Sequence, residues 1–279
     1  MQRLQLRRED VTLSYLDSGG PGPVVVLLHG LAGSAGELAA TAAALSDGYR
    51  VLALDQRGHG HSTRRPADTS RRAYVEDVVA LIAAATGGAP VSVVGQSMGA
   101  HTALLLAAWH PHLVQHLVLL EGGVGGGAQD TSAQLGSWFA CWPVPFPSRQ
   151  AAVEHLGATP TAAAWAQDLQ ERDGGFWPRF DADVMQAAIA AVAQSARWTE
   201  WQQVQAPTLL VQAERSYLDA AEIAQMLELR PGTGHVVVPD AGHDVHLDQP
   251  QAWTQLLRRY LDTAHAPSGD WLSNARSST

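Results

Sequence analysis

The sequence predicts an α/β fold in which a mostly parallel central sheet is flanked by helices and interrupted by a helical insertion. Three observations carry this. Four short apolar runs in the first half alternate with Ala/Leu segments of helical length. The alternation stops between about residues 122 and 206, where no convincing strand is found. It then resumes with strand, helix, strand and helix.

Each element follows from its local pattern. Residues 24–28, 51–54, 91–94 and 117–120 are β-rich, nearly continuous apolar runs, as expected of strands covered on both faces of a parallel sheet. Between them, residues 35–46, 70–85 and 98–109 have helical length and composition. Strand, helix and strand in repetition imply right-handed crossovers. The insertion opens with a glycine-rich hinge at 122–127 and continues through Pro143, Pro145 and Pro147. It holds six of the nine tryptophans: Trp138, Trp142, Trp165, Trp177, Trp198 and Trp201. These either face an apolar or aromatic substrate or cement a helical lid onto the core. A strand at 208–212, a helix near 220–229, a strand at 235–238 and a last helix near 250–263 complete the sheet. The expected organisation is a core of 1–121 and 207–265, a helical cap of 122–206, and a small polar tail, 266–279, that frays.

Composition narrows the function. At 279 residues the chain suits one large domain with an insertion. Hydrophobic residues make up 46% and charged residues 16%, which fits a core-forming protein and not a disordered one. Eighteen basic against 27 acidic residues give −9 at neutral pH, a poor match to nucleic acid or an anionic membrane surface. All 18 basic residues are arginine. Without lysine there is no Schiff base, no pyridoxal-phosphate attachment and no ordinary Walker A loop. The single cysteine, Cys141, excludes an internal disulfide and a thiolate zinc site. The N-terminus shows no apolar signal region and no run is long enough to cross a bilayer, so a soluble, cytoplasmic protein is expected.

Chemistry concentrates in a few segments. Gly95-Gln96-Ser97-Met98-Gly99 follows the run VSVV and precedes an Ala/Leu helix, which is G-x-S-x-G in a strand–turn–helix context. The serine of such a turn sits in strained backbone, and side chains in place of the flanking glycines would strike the neighbouring strand and helix. The helix that follows aims its positive end at developing negative charge. A serine hydroxyl needs a base. Of twelve histidines, His243 in PDAGHDVHLDQP lies in a loop at a strand's C-terminal end, where open α/β sheets place their chemistry. His246 is its competitor, with packing as the expected role. His59 and His61 can be read with His243 and His246 as metal ligands, but their context is unspecific and no metal is expected. The backbone N–H of Leu31, after His29-Gly30, can pair with that of Met98 as an oxyanion hole. His29 is expected to brace that loop. The loop Asp55-Gln56-Arg57-Gly58-His59-Gly60-His61-Ser62 reads as scaffolding.

LLHGLAGS, LDQRGHGHS, GQSMG and DAGHDVHLDQP, in this order and spacing, resemble the α/β-hydrolase superfamily with a helical cap inserted after the sixth strand. The resemblance spans nearly the whole chain. It implies a Ser–His–acid triad with Ser97 and His243 at the matching positions, and a lid over the pocket. Many relatives carry the acid as an Asp shortly after the strand that follows the cap. Here that loop reads Ala213-Glu214-Arg215-Ser216-Tyr217-Leu218-Asp219, and the usual offset lacks an aspartate. Other capped relatives place the acid at the end of the strand before the cap, where this chain has Glu121. A carboxylate ending a buried strand needs a partner, and His243 would supply one. Glu121 is the favoured acid, although it could instead cap the strand or pair with an arginine. Glu214 and Asp219 are its rivals. Asp219 has an alternative job as a helix cap, and Glu214 has Arg215 beside it.

Within that superfamily a serine nucleophile, not an aspartate, implies acyl transfer. The expected activity is cofactor-free cleavage of a small-molecule carboxylic ester with an apolar moiety. Alternatives are a lactonase, a carbon–carbon bond hydrolase, a cofactor-free haloperoxidase-like activity, or a non-catalytic receptor of the same fold that binds a small hydrophobic ligand.

Overall fold

The computed structural model describes residues 1–8, 10–127 and 129–264, so the tail expected to fray lies outside the described residues. Two strands precede those read from the sequence: β1 (Gln2–Arg8) and β2 (Val11–Asp17), an antiparallel hairpin. Then follow β3 (Val24–Leu28), α1 (Ala39–Leu45), β4 (Arg50–Asp55), α2 (Arg71–Thr86), β5 (Val91–Gln96), α3 (Met98–Trp109) and β6 (Val114–Leu120). After β6 come α4 (Gln129–Ala140), α5 (Arg149–His155), α6 (Pro160–Asp168), β7 (Gln170–Arg172), β8 (Gly175–Trp177), α7 (Ala182–Ala193) and α8 (Trp198–Gln203). The chain returns to the sheet with β9 (Thr208–Ala213), α9 (Ala220–Leu229), β10 (Gly234–Val238), α10 (Val245–Asp248) and α11 (Pro250–Ala264).

The main sheet runs β1-β2-β4-β3-β5-β6-β9-β10, antiparallel across β1/β2 and β2/β4 and parallel elsewhere. Side chains alternate between its faces. Val26, Leu28, Leu52, Leu54, Leu117 and Leu119 join one core layer with α2, α3 and α8. Val25, Leu27, Val51, Ala53, Val118 and Leu120 join the other with α1 and α11. Both layers are covered, which is why these strands are apolar on successive positions. Helix α3 is buried from Met98 to Ala107, as a helix apolar on all sides must be. By contrast, α11 buries Trp253, Leu257, Tyr260 and Leu261, spaced for one face, with Leu256 partly buried beside them.

Three expectations need correction. The region 122–206 does contain strands, β7 and β8, but they are three residues each and form a separate hairpin. Periodicity cannot register elements that short. The first predicted helix starts at Ala39 and not near residue 35, because residues 35–38 are turns. The tryptophans also divide. Trp138, Trp142 and Trp165 cluster with Phe139, and Trp142 packs on Phe146 and Phe180. Trp201 is fully buried in the sheet's core and donates to the Met226 carbonyl at 2.9 Å.

A polar layer joins α6 to the core. Thr161 Oγ1 donates to Asp244 Oδ2 at 2.6 Å, and Trp165 Nε1 to Glu37 Oε2 at 3.3 Å. Burial, reinforced by the Asp55 charge, raises the neighbouring Asp168 carboxyl to about 6, against the pull of Arg179 and Ser34. An acid raised in the folded state binds more protons there than when unfolded. Its contribution therefore weakens stability as pH rises from about 4 to 6 and then levels off. Asp168→Asn removes that slope while leaving a hydrogen-bonding group toward Ser34. The variant's melting temperature is expected to match wild type near pH 4 and to exceed it by a few degrees at pH 7; a gap that does not change with pH would oppose this.

Candidate active site

Ser97 stands at the junction of β5 and α3 with φ +53° and ψ −115°, a conformation that L-residues rarely hold. Its N–H donates to the Leu120 carbonyl at 2.9 Å, which pins the turn to the end of β6. The flanking glycines are required by contact. A Cβ on Gly95 would lie 2.3 Å from the Gly99 carbonyl oxygen, and one on Gly99 would lie 2.3 Å from that of Leu28. Gly30 is equally confined, since a Cβ there would lie 3.3 Å from Ser97 Cβ and closer still to the Gln96 amide. The His29-Gly30-Leu31 loop is thereby seated beside the serine.

A continuous chain of hydrogen bonds leads away from the hydroxyl. His243 Nε2 lies 2.9 Å from Ser97 Oγ, and His243 Nδ1 lies 3.2 Å from Glu121 Oε2. Glu121 has a side chain wholly removed from solvent and a backbone φ of +49°. Its other oxygen, Oε1, accepts from the Ala213 N–H at 2.7 Å and from Ser216 Oγ at 2.8 Å. The end of β9 therefore aims the acid that ends β6. The loop carrying His243 is held by Gln96, whose Nε2 donates to the His243 carbonyl and to Asp244 Oδ1, both at 3.2 Å. Hydroxyl, imidazole and carboxylate in this order can move a proton off the hydroxyl while the carboxylate fixes the ring.

The rival carboxylates point elsewhere. Asp219 is exposed and accepts from the Ala221 N–H at 2.9 Å as the cap of α9. Glu214 is exposed and accepts from the Asp240 N–H at 2.9 Å. The simple pairing expected with Arg215 is not what engages Glu214, because Arg215 donates to the Asp240 carbonyl. The four histidines considered as metal ligands hold separate positions. His59 is buried with Nδ1 on the Arg57 carbonyl, and burial pushes it down to about 3. His61 is exposed, its backbone N–H on Asp55. His246 bonds Glu37 at 2.9 Å. Among the described residues no group of three or more His, Cys, Asp or Glu side chains is arranged to hold a metal. His29 donates from Nδ1 to the Gly30 carbonyl and accepts at Nε2 from the Gln56 N–H. That fixes one neutral tautomer, and burial lowers the ring's pKa. Among the described hydrogen bonds none uses the backbone N–H of Leu31 or Met98. Met98 is the first residue of α3, where such groups are left without an intrahelical partner.

A cleft of about 190 Å³ opens over these residues. Met98, Ile189, Val192 and Leu218 give it apolar walls, and none of the six tryptophans lines it. Trp142 and Trp165 instead line a separate pocket with Glu37, Asp168 and Phe180. Three lining or flanking groups went unnoticed in the sequence. Tyr217 lies over His243, ring centres 5.3 Å apart, and is 83% exposed. His101 is one helical turn beyond Ser97, a spacing that places both on one face. Glu222 stands three residues after the Asp219 cap, the spacing of a capping box, yet it reaches across to the Val124 N–H at 2.8 Å. Burial raises its carboxyl above the usual range.

Comparison with known proteins agrees with this architecture. A family model described as alpha/beta hydrolase fold matches residues 23–250. The sn-1-specific diacylglycerol lipase ABHD11 of Mus musculus is 29% identical, the match covering 93% of this chain and 88% of that one. The 2-(acetamidomethylene)succinate hydrolase of Mesorhizobium japonicum is also 29% identical, over 92% and 95%. A crystal structure of E-2-(acetamidomethylene)succinate hydrolase superposes with a TM-score of 0.81 at 27% identity, covering 94% of this chain and all of that one. Among the described residues no helix is long and apolar enough to cross a membrane.

Proposed function

We propose, from the premise that this chain belongs to the alpha/beta hydrolase fold family, that it is a hydrolase cleaving small carboxylic esters through an acyl-enzyme on Ser97. The observation that carries the reading is the unbroken chain Ser97–His243–Glu121 beneath a cleft. Ser97 Oγ attacks the ester carbonyl carbon while His243 Nε2 takes its proton. The oxyanion receives the N–H groups of Leu31 and Met98. His243 returns the proton to the departing alcohol, which leaves Ser97 acylated. Water, deprotonated by the same imidazole, then releases the acid and restores the hydroxyl. Glu121 accepts from His243 Nδ1 throughout and holds the productive tautomer. Residues 122–206 act as the cap, since Ile189 and Val192 of α7 wall the cleft. The modest volume and apolar lining support a short substrate with an apolar moiety.

Turnover of 4-nitrophenyl esters tests this against the receptor alternative, for which almost none is expected. Lactone or vinylogous-diketone turnover would keep the machinery and move the substrate class. EDTA is expected to leave the rate unchanged; loss on chelation with recovery on adding zinc would move the chemistry to a metal.

A further inference from the structure

We propose that Glu222 is a cation-receiving residue of this cleft, so that preferred ester substrates carry a positively charged nitrogen a short chain away from the scissile carbonyl. This rests on the acyl-hydrolase reading above and names a substrate class for it. Glu222 lines the cleft together with Ser97 and His243 and is only partly covered, so a bound molecule can reach it. Two carboxylates line the cleft, and they are treated differently. Glu121 is wholly removed from solvent, and its two oxygens meet His243, Ala213 and Ser216. Glu222 is engaged through one oxygen, Oε1, which accepts from the Val124 N–H at 2.8 Å. Its Oε2 accepts no described hydrogen bond and is not sealed from solvent. Glu222 takes part in none of the described ion pairs. The chain has no lysine, and no arginine lines the cleft. The cleft therefore presents one open carboxylate oxygen and no guanidinium to neutralise it.

The backbone brings this carboxylate close to the nucleophile. Gly122 and Gly123 follow the triad acid and line the cleft. A Cβ on Gly122 would strike Ala100 and lie 3.1 Å from the Ser97 carbonyl oxygen, and one on Gly123 would strike Glu222 Oε1. One glycine thus touches the serine turn and the next touches the carboxylate. Consecutive Cα atoms are about 3.8 Å apart, which puts the carboxylate on the order of 6–10 Å from the serine. A chain of about four bonds between carbonyl carbon and nitrogen spans that gap. Its methylenes would run along the apolar wall of Ile189 and Val192. The Val124 N–H fixes the carboxylate in place but carries no net charge. Burial raises the Glu222 carboxyl, the Val124 N–H lowers it and the Asp219 charge raises it again, with no cation among these influences. A cationic nitrogen supplies the missing partner, since it stabilises the ionised carboxylate and has its own charge met outside bulk water. A brace for the hinge alone would need an acceptor and not a charge, which separates the two roles experimentally.

The test uses ester pairs of equal shape that differ in charge. One pair is 4-nitrophenyl 4-(trimethylammonio)butyrate and 4-nitrophenyl 5,5-dimethylhexanoate; the other is acetylcholine and 3,3-dimethylbutyl acetate. In at least one pair wild type is expected to favour the cation by about tenfold or more in kcat/KM, mainly through KM. The pair that responds tells whether the nitrogen sits on the acyl or the alcohol half. Glu222→Gln, which keeps an acceptor for the Val124 N–H, should bring that ratio to within about threefold of one. Melting of Ser97→Ala protein with butylammonium or neutral 1-butanol reads the subsite without turnover. Only butylammonium should raise the midpoint, and adding Glu222→Gln should abolish the shift. If Glu222→Gln fails to fold, the wild-type ratio at high salt and the butylammonium shift decide, because a diffuse field from the net charge of −9 is screened there. A preference that Glu222→Gln retains belongs to that net charge and overturns the assignment. Equal turnover within both pairs with no butylammonium shift overturns it too and leaves Glu222 a brace for the hinge. If no ester is cleaved while butylammonium still stabilises the protein through Glu222, ester hydrolysis fails and the subsite stands.

Discussion

Ser97→Ala is expected to lower esterase kcat/KM by about four to six powers of ten while leaving the melting temperature within a few degrees of wild type. The size of the effect follows from what is removed. Ser97 Oγ is the nucleophile of the proposed acyl transfer, and among the described hydrogen bonds it is the one partner of His243 Nε2, at 2.9 Å. The residual rate would come from the oxyanion donors and from binding alone. The small effect on stability follows from the contacts: the hydroxyl makes no capping bond to α3, and alanine bears the φ of +53° no worse than serine does. Ester turnover alongside thermal melting checks both parts. A folded variant that keeps normal turnover would remove Ser97 from the chemistry.

Glu121→Gln is the second large effect, with kcat expected to fall by about three to four powers of ten. The amide can keep its oxygen toward Ala213 and Ser216, which both donate to Oε1. That turns its NH₂ toward His243 Nδ1, a position the carboxylate fills as an acceptor at 3.2 Å. The ring must then carry its proton on Nε2, facing Ser97, and cannot accept one there. Shape and burial barely change, so a small change in melting temperature is expected. Asp219→Asn and Glu214→Gln should each cost less than about tenfold, because one caps α9 and the other bonds Asp240. Retained activity in Glu121→Gln together with loss in either of the others would place the acid after β9.

The parts of this fold that were legible in the sequence are those whose physics is local or strictly periodic. Strand β3 could be read because Val25 and Leu27 meet one layer while Val26 and Leu28 meet the other, so every position is apolar. Strand β1 could not: its Arg3, Arg7 and Arg8 lie at a sheet edge with one half-covered face, and charge there is normal. The Ser97 turn was legible because its steric demands act within five residues, from Gly95 to Gly99. Glu121 was legible from its place at the end of the strand before the cap, where some capped relatives carry the acid, and as a carboxylate that a buried strand would not leave unpaired. The tie from Glu222 to Val124 depends on where α9 packs against the hinge, and no residue spacing encodes that.

The most direct measurement is covalent. Treatment with a serine-directed alkyl phosphonate, followed by intact mass and peptide mapping, should add one phosphonyl group per chain, on Ser97. His243→Ala should slow that labelling by orders of magnitude, because the hydroxyl loses its base. No adduct on a folded protein that cleaves esters, or an adduct on a residue other than Ser97, would contradict an acyl-enzyme at this site.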